Sequence, residues 1–168
     1  MERQLSNPPQ LSPRQAERSG WGLLVFAAVV AAAAAVGAFG VTDPATEYAG
    51  LAQPVWAPPS WLFGPVWTVL YVMIAVAGFL VWRRIGLGLA VGVWFAQLVL
   101  NAAWTPLFFG AGRYGLAFVD IVVLWLLIAL TSALFWRASR PAALLMLPYW
   151  AWVTFAGALN LAIWRLNT

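Results

Sequence analysis

The 168-residue sequence predicts an all-α integral membrane protein, a single domain built as a five-transmembrane-helix bundle. Three observations carry this. First, 64% of the residues are apolar and only 8% are charged, whereas a soluble domain is about half apolar and about a quarter charged. Second, the apolar residues fall into five runs, each near the roughly 20 residues that a spanning helix needs. Third, these runs lack the period-two alternation of barrel strands.

Taken in order, residues 1–20 (MERQLSNPPQLSPRQAERSG) are polar and read as a mobile tail. The first span covers about 21–40. Its apolar run is longer than a signal-peptide core of about 7–15 residues, so it reads as a helix rather than a signal peptide. Residues 41–60 (VTDPATEYAGLAQPVWAPPS) are too long for a simple turn and read as a stiff, Pro-rich capping loop. The remaining spans cover about 61–82, 87–109, 114–136 and 142–164. Their short links, at 83–86, 110–113 and 137–141, predict adjacent antiparallel helices. The domain therefore runs over 21–168.

Every cation is an arginine. Five spans place Arg3, Arg14, Arg18, Arg83, Arg84, Arg137 and Arg140 on the face of the N-terminus, against Arg113 and Arg165 on the other. In a bacterial cell membrane this bias puts the N-terminus inside and the long loop outside. Arginines scattered at span ends do not form the contiguous basic face of a nucleic-acid binder. The chain has no His and no Cys. Cys nucleophiles, Ser-His triads, His-ligated zinc and His- or Cys-ligated haem are therefore excluded within it, and no metal site is expected.

The chain has 12 tryptophans. Trp21, Trp82 and Trp136 fall at inner span ends, and Trp56, Trp61 and Trp164 at or near outer ones, where indoles anchor membrane proteins. Trp67, Trp94, Trp104, Trp125, Trp150 and Trp152 lie deeper. Polar side chains within spans are few and tend to face a bundle interior or cavity. Tyr71, Asn101, Asp120 and Asn160 all fall in the outer half, beneath the long loop, while the inner half holds little beyond Thr131 and Ser132. This one-sided cluster points to a pocket opening outward under residues 41–60. Helical phase agrees. Tyr149, Trp152, Ala156 and Asn160 share a stripe of roughly 80°. Trp67 and Tyr71 lie one turn apart, and Gln97, Asn101 and Trp104 share a face, followed by a kink at Pro106. The alternative is that Asn101, Asp120 and Asn160 only bond across helices, with Arg113 as partner of Asp120. On the opposite face of the third span, Gly88, Gly92 and Ala96 form a small-residue stripe, suited to close contact with a neighbouring helix or a second subunit.

With these residues in view, the chain resembles the TspO/MBR family of tryptophan-rich sensory proteins over about 21–167. The carrying segments are YAGLAQPVWAPPSWLFGPVWTVLY at 48–71, AQLVLNAAWTPLFFG at 96–110, GLAFVDIVVLW at 115–125 and LPYWAWVTFAGALNLAIWRLN at 147–167. The resemblance implies a five-helix bundle, commonly a homodimer. It implies a pocket under the first loop that takes porphyrins and benzodiazepine-type ligands. The positions implied are Tyr48, Trp56, Pro58, Trp67, Tyr71, Asn101, Trp104, Trp152, Ala156, Leu159 and Asn160. It also favours the stripe of the third span as the intersubunit seam.

The functional expectation is an integral membrane protein that binds a porphyrin, or another flat aromatic lipophile, and acts in its sensing, regulation or transport. The family's link to light-dependent porphyrin breakdown makes Trp67 and Trp152 the candidate redox indoles of an enzymatic alternative. No thermal acid-base site is visible, because Asp120 is the lone carboxylate in a span and paired work takes two. Sterol or small-lipophile transport is a further alternative. Cholesterol itself is disfavoured, because Leu161 stands where the family's cholesterol motif has an aromatic residue. The expected partners are the ligand, membrane lipid and a second copy of the chain.

Overall fold

The structure, a computed structural model, describes residues 13–39, 41 and 43–168. Six α-helices follow in chain order: α1 (Pro13–Ala38), α2 (Pro44–Gly50), α3 (Phe63–Ile85), α4 (Leu89–Thr105), α5 (Tyr114–Ala138) and α6 (Arg140–Leu166). The described residues contain no strand. Five helices, all but α2, are long and apolar enough to cross a membrane.

Two boundaries differ from the sequence expectation. Helix α1 begins at Pro13, inside the segment read as a mobile tail. Pro suits a first helical position, where its missing N–H costs nothing, and Arg, Gln, Ala and Glu then favour helix. Residues 1–12 of the expected tail lie outside the described residues. The capping loop also carries a helix of its own. Asp43 caps α2 by accepting a 3.1 Å hydrogen bond from the Thr46 N–H, and Pro44 occupies the first turn. The kink expected at Pro106 takes the form of a π-turn over Pro106–Gly110, closed by Ala111 N–H donating to the Pro106 carbonyl at 2.9 Å.

The five long helices close into a ring in the order α1, α3, α6, α5, α4 and back to α1. Short links therefore give neighbours at α4/α5 and α5/α6, but not at α3/α4, where α1 intervenes. That pair meets chiefly through side chains that cross the interior. Trp94 donates from Nε1 to the Ile74 carbonyl at 3.1 Å, and its ring lies over Gly78, where a Cβ would stand 2.6 Å from the indole. The turn between them opens on Gly86, whose φ of 72° lies in the region open to glycine.

Of the expected anchors, Trp21, Trp56, Trp61 and Trp136 are exposed, as interfacial indoles would be. Trp82 and Trp164 are half-buried instead, seated against Gly22 and Gly115. Thr131 and Ser132, the expected inner polar residues, bond only to carbonyls of their own helix. The stripe of Gly88, Gly92 and Ala96 faces out of the bundle. All three are exposed, and a Cβ on Gly88 or Gly92 would meet nothing. Among the described residues no other helix covers the stripe, so their packing does not account for it. Gly88 and Gly92 border an apolar groove between α1 and α4, walled by Trp21, Phe26, Trp82 and Phe95.

Candidate functional site

The outer half of the ring is hollow. A cavity of 340 Å³ lies at its centre, bounded by Ala34 and Gly37 of α1, Tyr71 of α3, Asn101 of α4, Ile121 and Leu124 of α5 and Trp152 of α6. A second cavity of 270 Å³ lies toward the loop, bounded by Ala45 and Tyr48 of α2, Phe108, Leu159 and Asn160. Pro44, Phe63, Gly64, Trp67, Trp104, Thr105 and Ala156 line both, so the two spaces adjoin. Their volumes sit at the lower end of the roughly 300–1,000 Å³ usual for small-molecule sites.

The structure thus gathers nine of the expected residues around one two-lobed space: Tyr48, Trp67, Tyr71, Asn101, Trp104, Trp152, Ala156, Leu159 and Asn160. Trp56 and Pro58 line neither lobe. Pro58 accepts a 3.1 Å hydrogen bond from the Tyr48 hydroxyl and so holds the loop behind the cavity. Trp56 packs its edge on Phe155 at 5.8 Å. Phe155 in turn contacts Trp152 at 5.4 Å, and Trp152 contacts Phe63 at 5.9 Å. Asp120 lines neither lobe and makes no bond to Arg113; its Oδ2 is buried without a hydrogen-bond partner.

The polar atoms of the site are mostly spent inside the protein. Tyr71 donates to Asn101 Oδ1 at 3.0 Å. Asn101 Nδ2 donates to the Tyr149 hydroxyl at 3.1 Å, and that hydroxyl donates to Gln97 Oε1 at 2.9 Å. The chain of bonds joins α3, α4 and α6 across the interior. Asn160 is consumed in the same way: its Oδ1 accepts from Trp104 Nε1 at 3.0 Å, and its Nδ2 donates to the Tyr114 carbonyl at 2.9 Å. The indole Nε1 of Trp152, by contrast, has no partner. No cation is among the residues lining either lobe, and no group of three or more His, Cys, Asp or Glu is assembled among the described residues. In the loop, burial pushes the Tyr48 phenol above its ordinary value of 10.0. It therefore remains a neutral donor at physiological pH.

Sequence reasoning left several lining residues unnamed. Phe63 had a signal, since it stands one turn before Trp67 on the same face. Pro44 had one too, in the Asp-Pro start of α2. Phe108 had none, because only the π-turn swings its ring under Trp104, where the two stack at 5.0 Å.

Comparison with known proteins bears on this arrangement. The TspO/MBR family profile matches residues 24–165. Protein CrtK of Rhodobacter capsulatus is 40% identical over 152 residues, covering 86% of this chain and 94% of its own. The tryptophan-rich protein TspO of Chlorobaculum tepidum is 41% identical over 153 residues, covering 86% and 97%. The human translocator protein is 41% identical over 125 residues, covering 71% and 74%. Each match spans most of both chains, and the family profile reaches into all five long helices and takes in the loop that caps the cavity. The chain is therefore a multi-pass membrane protein that belongs to the TspO/MBR family.

Proposed function

We propose that the outer-half cavity binds porphyrins and that the protein acts in their sensing, regulation or transport. The observation that carries this reading is the cavity's wall. Trp67, Trp104, Trp152, Phe63 and Tyr71 surround the space, while its amides are engaged with Tyr71, Tyr149, Trp104 and the Tyr114 carbonyl. A flat aromatic macrocycle gains about 0.5–1.5 kcal/mol per offset ring pair beyond area burial. With no cation in the lining, the acidic groups of the ligand belong at the mouth, beside Ala45 and Ser60, rather than at the floor.

Without His or Cys in the chain, strong iron ligation would fall to Tyr or Met. The site therefore favours metal-free porphyrin over tightly ligated haem. The test is a titration of the detergent-solubilised protein with protoporphyrin IX, followed by tryptophan fluorescence in the dark. Saturable quenching, weakened in Trp67→Ala, is expected. Absence of dark quenching rejects the reading.

The enzymatic alternative rests on Trp67 and Trp152 lining one lobe. A bound macrocycle there contacts both indoles, and light would let either donate an electron to it. Trp152→Phe then keeps dark binding and slows photobleaching; equal bleaching rates in variant and parent reject the alternative. Sterol transport has no comparable feature in its favour. The exposed stripe of Gly88, Gly92 and Ala96 is the surface on which a second copy packs to form a homodimer, with membrane lipid on the remaining faces. A bacterial cell membrane with the N-terminus inside suits the arginine distribution.

A further inference from the structure

Among the described residues, the part of the loop from 43 to 60 is tied to the end of α6 at one side-chain hydrogen-bonding point. Within residues 43–60, the Asp43–Thr46 cap bond, the Tyr48–Pro58 bond and the bond from Gln53 Nε2 to the Tyr48 carbonyl all close inside the loop. Asn167, just past the end of α6, reaches across 115 residues of sequence to it. Its Oδ1 accepts from the Ala52 N–H at 3.0 Å, and its Nδ2 donates to the Ala52 carbonyl at 3.0 Å. The second amide hydrogen donates to the Ile163 carbonyl at 2.8 Å, which fixes the side chain on the helix it leaves. An asparagine amide presents an acceptor beside a donor, so it can meet both the N–H and the C=O of one residue, and here both hydrogens and the oxygen are used.

We infer that Asn167 is a latch, a positioning residue whose paired bonds to Ala52 hold the loop shut over the cavity and set the rate of ligand exchange through the outer face. The geometry separates closure from recognition. Asn167 lines neither lobe, whereas Pro44, Ala45, Tyr48 and Ser60, which move with the loop, form the roof of the outer lobe. Apart from Asn167, apolar contacts hold the loop to the bundle: Tyr48 against Phe63 at 5.3 Å and Trp56 against Phe155 at 5.8 Å. These are non-directional and re-form readily, so the directional amide pair decides whether the loop is registered or loose. This inference rests on the cavity being a ligand site.

The test uses the full chain in detergent or nanodiscs, with protoporphyrin IX as probe. In Asn167→Ala, association and dissociation by stopped-flow quenching both speed up by roughly tenfold, the factor expected from losing a pair of solvent-exposed hydrogen bonds. The dissociation constant then moves less than threefold. Unchanged rates, or weaker affinity at an unchanged association rate, overturn the latch. A second variant removes dependence on that one substitution. The chain has no cysteine, so Ala52→Cys combined with Asn167→Cys offers just two thiols to a reducible bifunctional methanethiosulfonate. Bridged protein should not exchange the probe, and reduction should restore exchange. Exchange that is equally fast in bridged and reduced protein means entry from the bilayer, and overturns the proposal. Hydrogen exchange of the loop amides in Asn167→Ala reads the latch without any ligand. Faster exchange at Ala52–Ala57, with α5 and α6 unchanged, supports it, and unchanged loop exchange overturns it. If the parent protein binds no porphyrin but the loop amides respond, the ligand reading fails and the latch stands.

Discussion

Replacing Tyr149 with Phe removes one oxygen from the centre of the bundle and leaves the ring in place against Trp67, at 6.1 Å. The consequence is electrostatic rather than steric. The lost hydroxyl accepted from Asn101 Nδ2 and donated to Gln97 Oε1. Gln97 is 0% exposed, and its Nε2 already has no partner. The substitution therefore leaves the whole Gln97 amide without a protein partner in a buried interior and strands one Asn101 hydrogen. A stranded buried polar group costs about 1–3 kcal/mol. Bonds between helices in membranes average only about 0.6 kcal/mol, because the dissociated helices find other partners. The second figure sets a floor of about 1.2 kcal/mol for two bonds. The first raises the expectation to about 2–4 kcal/mol, because Gln97 is left with nothing. Unfolding in mixed micelles of rising SDS content, followed by far-UV circular dichroism, measures the loss. Adding Gln97→Met to Tyr149→Phe then recovers part of it, since replacing both partners by apolar groups approaches neutrality. A loss below that floor of about 1.2 kcal/mol, or a double variant no more stable than Tyr149→Phe alone, would refute the assignment of this bond chain as a structural element.

Other outcomes follow from the same geometry. Gly78→Val places atoms at and beyond a Cβ that stands 2.6 Å from Trp94 and 2.9 Å from Phe26. It should cost about 1–3 kcal/mol in the same unfolding assay, and a neutral result would mean that Trp94 is free to move. A Cβ added at Gly92 meets nothing within 4 Å among the described residues, which makes Gly92→Val a test of the stripe. It should leave monomer unfolding nearly unchanged and shift the oligomer toward monomer in light scattering; an unchanged molar mass removes the stripe from the dimer seam. Loop closure should depend on pH at both extremes. The Tyr48 phenol is raised above 10.0 by burial, so its contribution is complete below pH 10, is lost as the pH rises through the folded value, and vanishes in Tyr48→Phe. The Asp43 carboxyl is lowered below 3.8, first by its side-chain bond with Thr46 and then by the Thr46 backbone. Its capping contribution is present above pH 3.8 and is lost as the pH falls through the folded value. Amide exchange across residues 44–58 checks both, and a profile that is flat at both ends refutes the link.

The parts of this structure legible in the sequence are those governed by long-range averages. Five apolar runs gave five helices, because a span is defined by some 20 residues together and tolerates any one of them. Depth and helical phase grouped Tyr71, Asn101, Trp152, Ala156 and Asn160, which the structure places around one space. The parts that were not legible turn on single contacts. Asp120 has the depth of the cluster but not its direction, and helical phase alone could not say which side of α5 faces the cavity. The separation of α3 from α4 by α1 is a property of the closed ring. A link as short as Gly86–Gly88 is compatible with either order.

The amides of the site also acquire a different role. Their depth and type made Asn101 and Asn160 natural groups for contacting a ligand. In the structure the Asn160 oxygen and Nδ2 are already bonded to Trp104 and to Tyr114, and Asn101 is bonded on both sides to tyrosines. An amide so engaged has little left for a ligand beyond a second hydrogen or a second lone pair. What Asn160 does do is fix the plane of the Trp104 indole, which stacks on Phe108 and forms a wall of both lobes. Asn101 and Asn160 therefore hold aromatic side chains in place around the cavity. The proposed ligand would then be met chiefly by those faces. A surface of that kind selects for flatness and apolar area more than for any one pattern of donors and acceptors.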